Sequence, residues 1–159
     1  MQTLYEEIFP PDTARIPTEI DFAFFVDLSI HTYVSKSRAK KARTIINAEE
    51  AKIGQSLSSA RVRQIVGDIF VAGIKKNALS RKRKALGRAL TSTEIQQAIK
   101  DSQVKARLGR NVCYYAHELN IENLSTEEKE AWLLYDSLHV SSFGLSDTRI
   151  YESSFGQVE

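Results

Sequence analysis

Cysteine, proline and glycine are scarce in this chain, at one, three and seven among 159 residues. The single Cys113 cannot form an internal disulfide, so the fold is not stapled and a reducing, cytoplasmic setting is expected. With so little Gly and Pro the chain is neither collagenous nor linker-like, and a hydrophobic content of 42% is too high for wholesale disorder. No run approaches 18 apolar residues, and the opening Met1-Gln2-Thr3-Leu4-Tyr5-Glu6-Glu7 is acidic where a signal peptide would be basic. Neither membrane insertion nor secretion is expected. There is no GxxxxGK[ST], GxGxxG or HExxH run and no CxxC pair, so nucleotide and metal chemistry have no carrier in the sequence. No cofactor and no catalytic activity are expected.

What is present is a segregation of charge that the net value of +2 conceals. Residues 1–34 hold Arg15 against six acids, a balance of −5. Residues 35–110 hold nineteen Lys and Arg against five acids, a balance of +14, and residues 111–159 return to −7 with two cations against nine acids. Segregation on this scale within one domain points to a polyanionic partner. The alternative is that the acidic ends fold back and neutralise the middle.

The periodicity predicts an all-α, one-domain bundle of five or six short helices over residues 18–140, preceded by an extended segment (1–17) and followed by an irregular tail (141–159). Pro10-Pro11 and Pro17 give the first segment its extended reading. Thr18, with Asp21 three residues on, opens a helix to Val34, although the alternation of Phe24, Val26, Leu28 and Ile30 also fits a strand. Phe22, Phe24, Phe25, Val26, Leu28 and Ile30 are expected in the core. Residues 35–55 are polar and basic and read as a loop, with or without a short helix near 47–53. From Ser58 a helix buries Val62, Ile65, Val66, Ile69 and Phe70, with Gln64 and Asp68 outside the stripe, and Asn77 as its terminator. Gly73 in that stripe would permit close approach of another helix.

A separate helix over 79–90 would dock through Leu79, Leu86 and Leu90 and present Arg81, Lys84 and Arg88 on its far side, with Lys82 and Arg83 flanking. Thr91 and Glu94 form a capping box for the next helix, which carries Ile95, Ala98 and Ile99 and breaks at Gly109. A short helix over 111–119 and a second capping box, Ser125 with Glu128, complete the bundle; Ala131, Leu134, Tyr135 and Leu138 form the last core face.

Cys113 and His117 share a helix face, with Glu118 and Glu122 nearby, but two ligands four apart make an incomplete metal site, and as a nucleophile–base pair they lack oxyanion donors. Glu127, Glu128 and Glu130 sit in a first helical turn, where acids favour the dipole. Trp132 is expected to be partly buried, with His139 beside it. The candidate binding residues are therefore the cations of the middle segment. They form three clusters: Lys36, Arg38, Lys40, Lys41 and Arg43; Arg81, Lys82, Arg83, Lys84 and Arg88; Lys100, Lys105, Arg107 and Arg110. With few aromatics among them and no base-reading pattern, they suit the phosphate backbone rather than sequence readout.

A small, helical, non-catalytic chain carrying the ridge Arg81-Lys82-Arg83-Lys84 and Arg88 resembles, over residues 18–140, the small subunit of CRISPR effector complexes of the Cascade type. The resemblance implies a helical subunit of a larger ribonucleoprotein that holds nucleic-acid backbones through Lys and Arg, with other protein subunits as partners. Two other readings stay open. One is a structural oligomer, such as a viral connector or adaptor subunit, self-associating through its acidic ends and basic middle. The other is a small regulator that binds one protein partner.

Overall fold

The longest element is a helix that the sequence reads as two. In the computed structural model, which describes residues 2–10, 15–31, 35–116 and 118–135, helix α4 runs unbroken from Ser59 to Leu86. Neither Gly nor Pro interrupts it after Gly73, and Asn77 costs only tenths of a kcal/mol in helix propensity, too little to stop a helix. Ser58 caps its start by accepting the Arg61 amide, and Gly87 ends it in the left-handed region (φ 68°) with its amide on the Arg83 carbonyl. The N-terminal half supplies Val62, Ile65, Val66, Ile69 and Phe70 to the core as expected. Gln64, placed outside by the apolar stripe, is buried and donates to the Glu128 carboxylate and the Asn123 carbonyl.

Around α4 the described residues form α1 (Gln2–Ile8), α2 (Glu19–His31), α3 (Lys36–Ile53), α5 (Ser92–Lys100), α6 (Val104–Val112) and α7 (Thr126–Tyr135), with a 3-10 turn at Ile121–Asn123 and no strand among them. The all-α bundle is as the periodicity predicts, with seven helices where five or six short ones were expected. Two further expectations are corrected. The entry segment is helical where Pro10-Pro11 suggested extension: α1 buries Leu4, Tyr5 and Ile8, with Phe9 behind them, and such side chains each contribute about 1.5–3 kcal/mol. The basic stretch after Ser35 is a continuous helix whose buried face is only Ala39, Ala42 and Ile46. Helix α2 forms as expected, with Phe24, Phe25 and Leu28 buried, but Ile30 is 70% exposed and not part of the core.

The two capping boxes hold. Thr91 accepts the Glu94 amide while the Glu94 carboxylate accepts the Thr91 amide, and Ser125 and Glu128 make the same reciprocal pair. Between them the helix ends at Lys100, not Gly109, and α6 runs through Gly109 to Val112, after which the chain turns. The tail 141–159, His117 and His139 lie outside the described residues, as do the side chains of Leu134, Tyr135 and Leu138.

Two apolar clusters share α4: one with α1, α2 and α3, the other with α6, α7 and the turns between them. Close approach of another helix occurs at Gly67, where the Asn111 side chain of α6 packs on the bare backbone and donates to the Gly67 carbonyl. Gly67→Val should therefore cost about 1–3 kcal/mol by overpacking, read as a lower urea midpoint with unchanged m. An unchanged midpoint would contradict this packing.

Candidate nucleic-acid interface

Helices α3 and α4 run antiparallel. At one end Arg61 pairs with Glu49 (2.6 Å), and Arg15 spans Glu50 (2.6 Å) and the Leu57 carbonyl. At the other, the Arg38 guanidinium lies where a side chain on Gly73 would sit and stacks over the Phe70 ring, 5.6 Å from its centre. Gly73 thus admits a cation, not a helix backbone. Arg38 and its exposed neighbours Lys36, Lys40 and Lys41 are brought to the point where α4 leaves the core.

From Lys75 to Leu86, twelve residues and about 18 Å of helix, α4 becomes an arm. Ser80 to Leu86 are all exposed, including Leu86, which the periodicity expected to dock, while Ala78 and Leu79 are half-buried. Arg81, Lys82, Arg83 and Lys84 point into solvent, and among the described residues no carboxylate pairs with them. Lys76, exposed in the same stretch, belongs to this surface and precedes the densest run of cations, while the exposed Lys75 rims the groove beside α5. The start of α3 and the arm of α4, some forty residues apart in sequence, are therefore brought together at Gly73.

The remaining candidates divide. Arg88 lies beyond the helix end and forms a two-pronged pair with Glu94 (2.8 and 2.6 Å), so it braces the α4–α5 turn and does not extend the ridge. Arg107 is a correction: its side chain is 3% exposed and pairs with the buried Asp27 (2.6 Å), which leaves no guanidinium for a ligand. Arg110 shares Asp27 (2.9 Å), though half its side chain is exposed. Arg43 faces a separate cavity of about 490 Å³ with Arg15, Asn47 and Glu50. Lys36 contacts Glu7 at 3.7 Å. Lys100 and Lys105 are exposed, and Lys105 rims a 290 Å³ groove opposite Glu127 and Glu130.

The hydrogen bonds from Arg88, and then from the Thr91 amide, hold the Glu94 carboxyl down at about 2. A depressed carboxyl contributes stability that is fully present above its ordinary value of 4.5 and is lost as pH falls through about 2. The α4–α5 turn should loosen only in that window, which faster amide exchange at Glu94 and Ile95 near pH 2 than at pH 5, beyond the intrinsic change, would report. Unchanged protection would show that Arg88 does not brace the turn.

Cys113 is buried, with its thiol on the Gly109 carbonyl, and no group of three metal-ligating side chains occurs among the described residues. Trp132 is half-buried, as expected. No helix among the described residues is long and apolar enough to cross a membrane. No protein-family model, curated protein or solved structure matches the chain.

Proposed function

We propose that the protein is a non-catalytic subunit that binds nucleic acid through the phosphate backbone, using the α4 arm and the first turns of α3. The observation that carries this reading is the set of four consecutive cations, Arg81 to Lys84, exposed on the arm without a carboxylate partner among the described residues. Several arginines elsewhere are paired with the fold's own acids: Arg63 with Asp21 and Glu118, Arg107 and Arg110 with Asp27, Arg61 with Glu49. Like charges left crowded on an exposed helix repel one another, and a polyanion relieves that repulsion. The start of α3 supports the same reading. It has no acid in its first turn and no side-chain cap, yet carries Lys36, Lys40 and Lys41 near the positive end of the helix dipole. A helical bundle with such a ridge is also what carries the resemblance to the Cascade-type small subunit, and the proposal extends to a place in a larger ribonucleoprotein.

The test is an electrophoretic or anisotropy titration of the full chain with mixed-sequence nucleic acid at 50 and 200 mM salt. With six or more phosphates engaged, affinity falls by about three orders of magnitude between the two. A flat salt response, or no binding at 50 mM, sinks the reading.

A structural oligomer is favoured by one observation, the outer side of α2. There Ile30 is 70% exposed beside the half-buried Phe22, Ala23 and Val26, and Ser29 turns its hydroxyl back to the Phe25 carbonyl. Its electrostatic basis is weaker than the charge balance suggests, because Asp21, Asp27 and Glu118 are already paired within the chain. Sedimentation of the pure protein decides: salt-sensitive rings formed without nucleic acid would put this reading first.

A further inference from the structure

The arm is charged around its circumference, and this bears on the form of nucleic acid it holds. At about 100° per residue from Lys75, Lys76 and Arg83 lie near 100° and 80°, Lys84 near 180°, Arg81 near 240° and Lys82 near 340°. As far as Leu79 the side near 0° faces α5: Val71 and Lys75 share a groove with Ile99, and the half-buried Ala78 and Leu79 lie on that side. The opposite side is clear of α5 and, beyond Gly73 where Arg38 of α3 lies, is open. It presents Lys76 and Arg83 on one flank, Arg81 on the other about 150° away, and Lys84 between them.

Two flanks of cations set so far apart around one helix cannot both touch a single phosphate strand. A lone strand would neutralise one flank and leave the other facing solvent. It would also find no stacking platform, since residues 75–90 contain no aromatic side chain. Both flanks are satisfied together in a cleft with two phosphate walls. A helix with its side chains is about 10–12 Å across, which matches the roughly 12 Å major groove of B-form DNA, whereas the major groove of A-form RNA is deep and too narrow to admit it.

The geometry points to duplex DNA as the ligand, entered by the α4 arm through the major groove, with Lys76 and Arg83 on one phosphate wall and Arg81 on the other. This rests on the nucleic-acid reading above and narrows it. Asn77 and Lys84 face the groove, and Ser80 is the short residue between the flanks; Lys82 stays outside.

The full chain is titrated at 50 mM salt with a 20-base-pair DNA duplex, one of its single strands and a 20-base-pair RNA duplex, and competed with methyl green, a major-groove dye, and netropsin, a minor-groove ligand. The DNA duplex should bind at least tenfold more tightly than the other two and be displaced by methyl green but not by netropsin. Arg81→Ala and Arg83→Ala should each reduce the salt slope by about 1, and the double variant by about 2, because each removes a contact on a different wall. Both positions are exposed, so folding is retained, as circular dichroism will verify. Equal affinity for the single strand or the RNA duplex, displacement by netropsin alone, or an unchanged slope in either single variant overturns the groove assignment and leaves backbone binding standing. Failure of all three nucleic acids to bind removes both.

Discussion

Arg63→Ala should destabilise the protein by about 3–5 kcal/mol, the largest single-residue effect expected in this fold. The Arg63 side chain is fully buried, at 0% exposure. It donates to Asp21 Oδ1 at 2.6 Å, to the Tyr114 carbonyl at 2.6 Å and to Glu118 Oε2 at 3.1 Å, and so ties α4 to the start of α2 and to the turn after α6. Asp21 is itself buried and caps α2, its other oxygen accepting the Thr18 amide. Truncation at Arg63 leaves that carboxylate without its cation in a site water does not reach. Against a total stability of about 5–15 kcal/mol, the loss is a large part of what holds the native state. At about 2–4 °C per kcal/mol for a chain of this size, the melting temperature drops by on the order of 10 °C or more. Arg63→Lys keeps the charge but loses the fork, and should fall between. A truncation that costs less than about 1 kcal/mol in urea would show that the cluster contributes little to the fold.

The opposite pattern is expected on the arm. Arg81→Glu, Arg83→Glu and Lys84→Glu together should lower nucleic-acid affinity by at least about a thousandfold, since a phosphate contact is lost on each wall and three negative charges are set against the polyanion. Stability should hold or rise slightly, because these side chains touch no core residue and their mutual repulsion is removed. Circular dichroism melts beside binding isotherms separate the two effects. A variant that unfolds would mean that the arm cations stabilise the native state through partners of their own.

The parts of this architecture that were legible in the sequence are those where a local signal has one physical outcome. The Thr91–Glu94 and Ser125–Glu128 boxes each satisfy two orphan amides reciprocally, and both helices begin where the boxes stand. The apolar stripe from Val62 to Phe70 likewise found the core. Helix α3 was not legible because its buried row is two alanines and one isoleucine, with Ile45 packed at the edge, too small a stripe to outweigh eleven polar or charged positions among its eighteen residues. The α4 arm was cut in two because Asn77 was given the weight of a stop signal, when only Gly87 supplies the left-handed residue that ends the helix.

The site divides along the same line. A count of cations located the basic segment, but could not separate Arg81 to Lys84, which face solvent, from Arg107, which is buried on Asp27. A signal for the latter was present in α2. Asp21 and Asp27 sit among the buried phenylalanines and Leu28 of α2, and carboxylates that must be buried with their helix require buried cations as partners. Which arginines would answer that demand is a tertiary fact, fixed by α4 and α6 packing beside α2.

The most direct measurement is a comparison at equal charge. Arg81→Glu with Arg83→Glu alters the arm, while Lys52→Glu with Lys100→Glu makes the same change in net charge at the far end of α3 and at the end of α5, where both lysines are exposed. Salt-dependent titrations of both variants against the same nucleic acid should show a loss of at least a hundredfold and a slope reduced by about 2 for the arm pair, with the control pair within a few-fold of the unaltered chain. Equal losses in the two would show that diffuse positive charge, and not the arm of α4, is what attracts the polyanion.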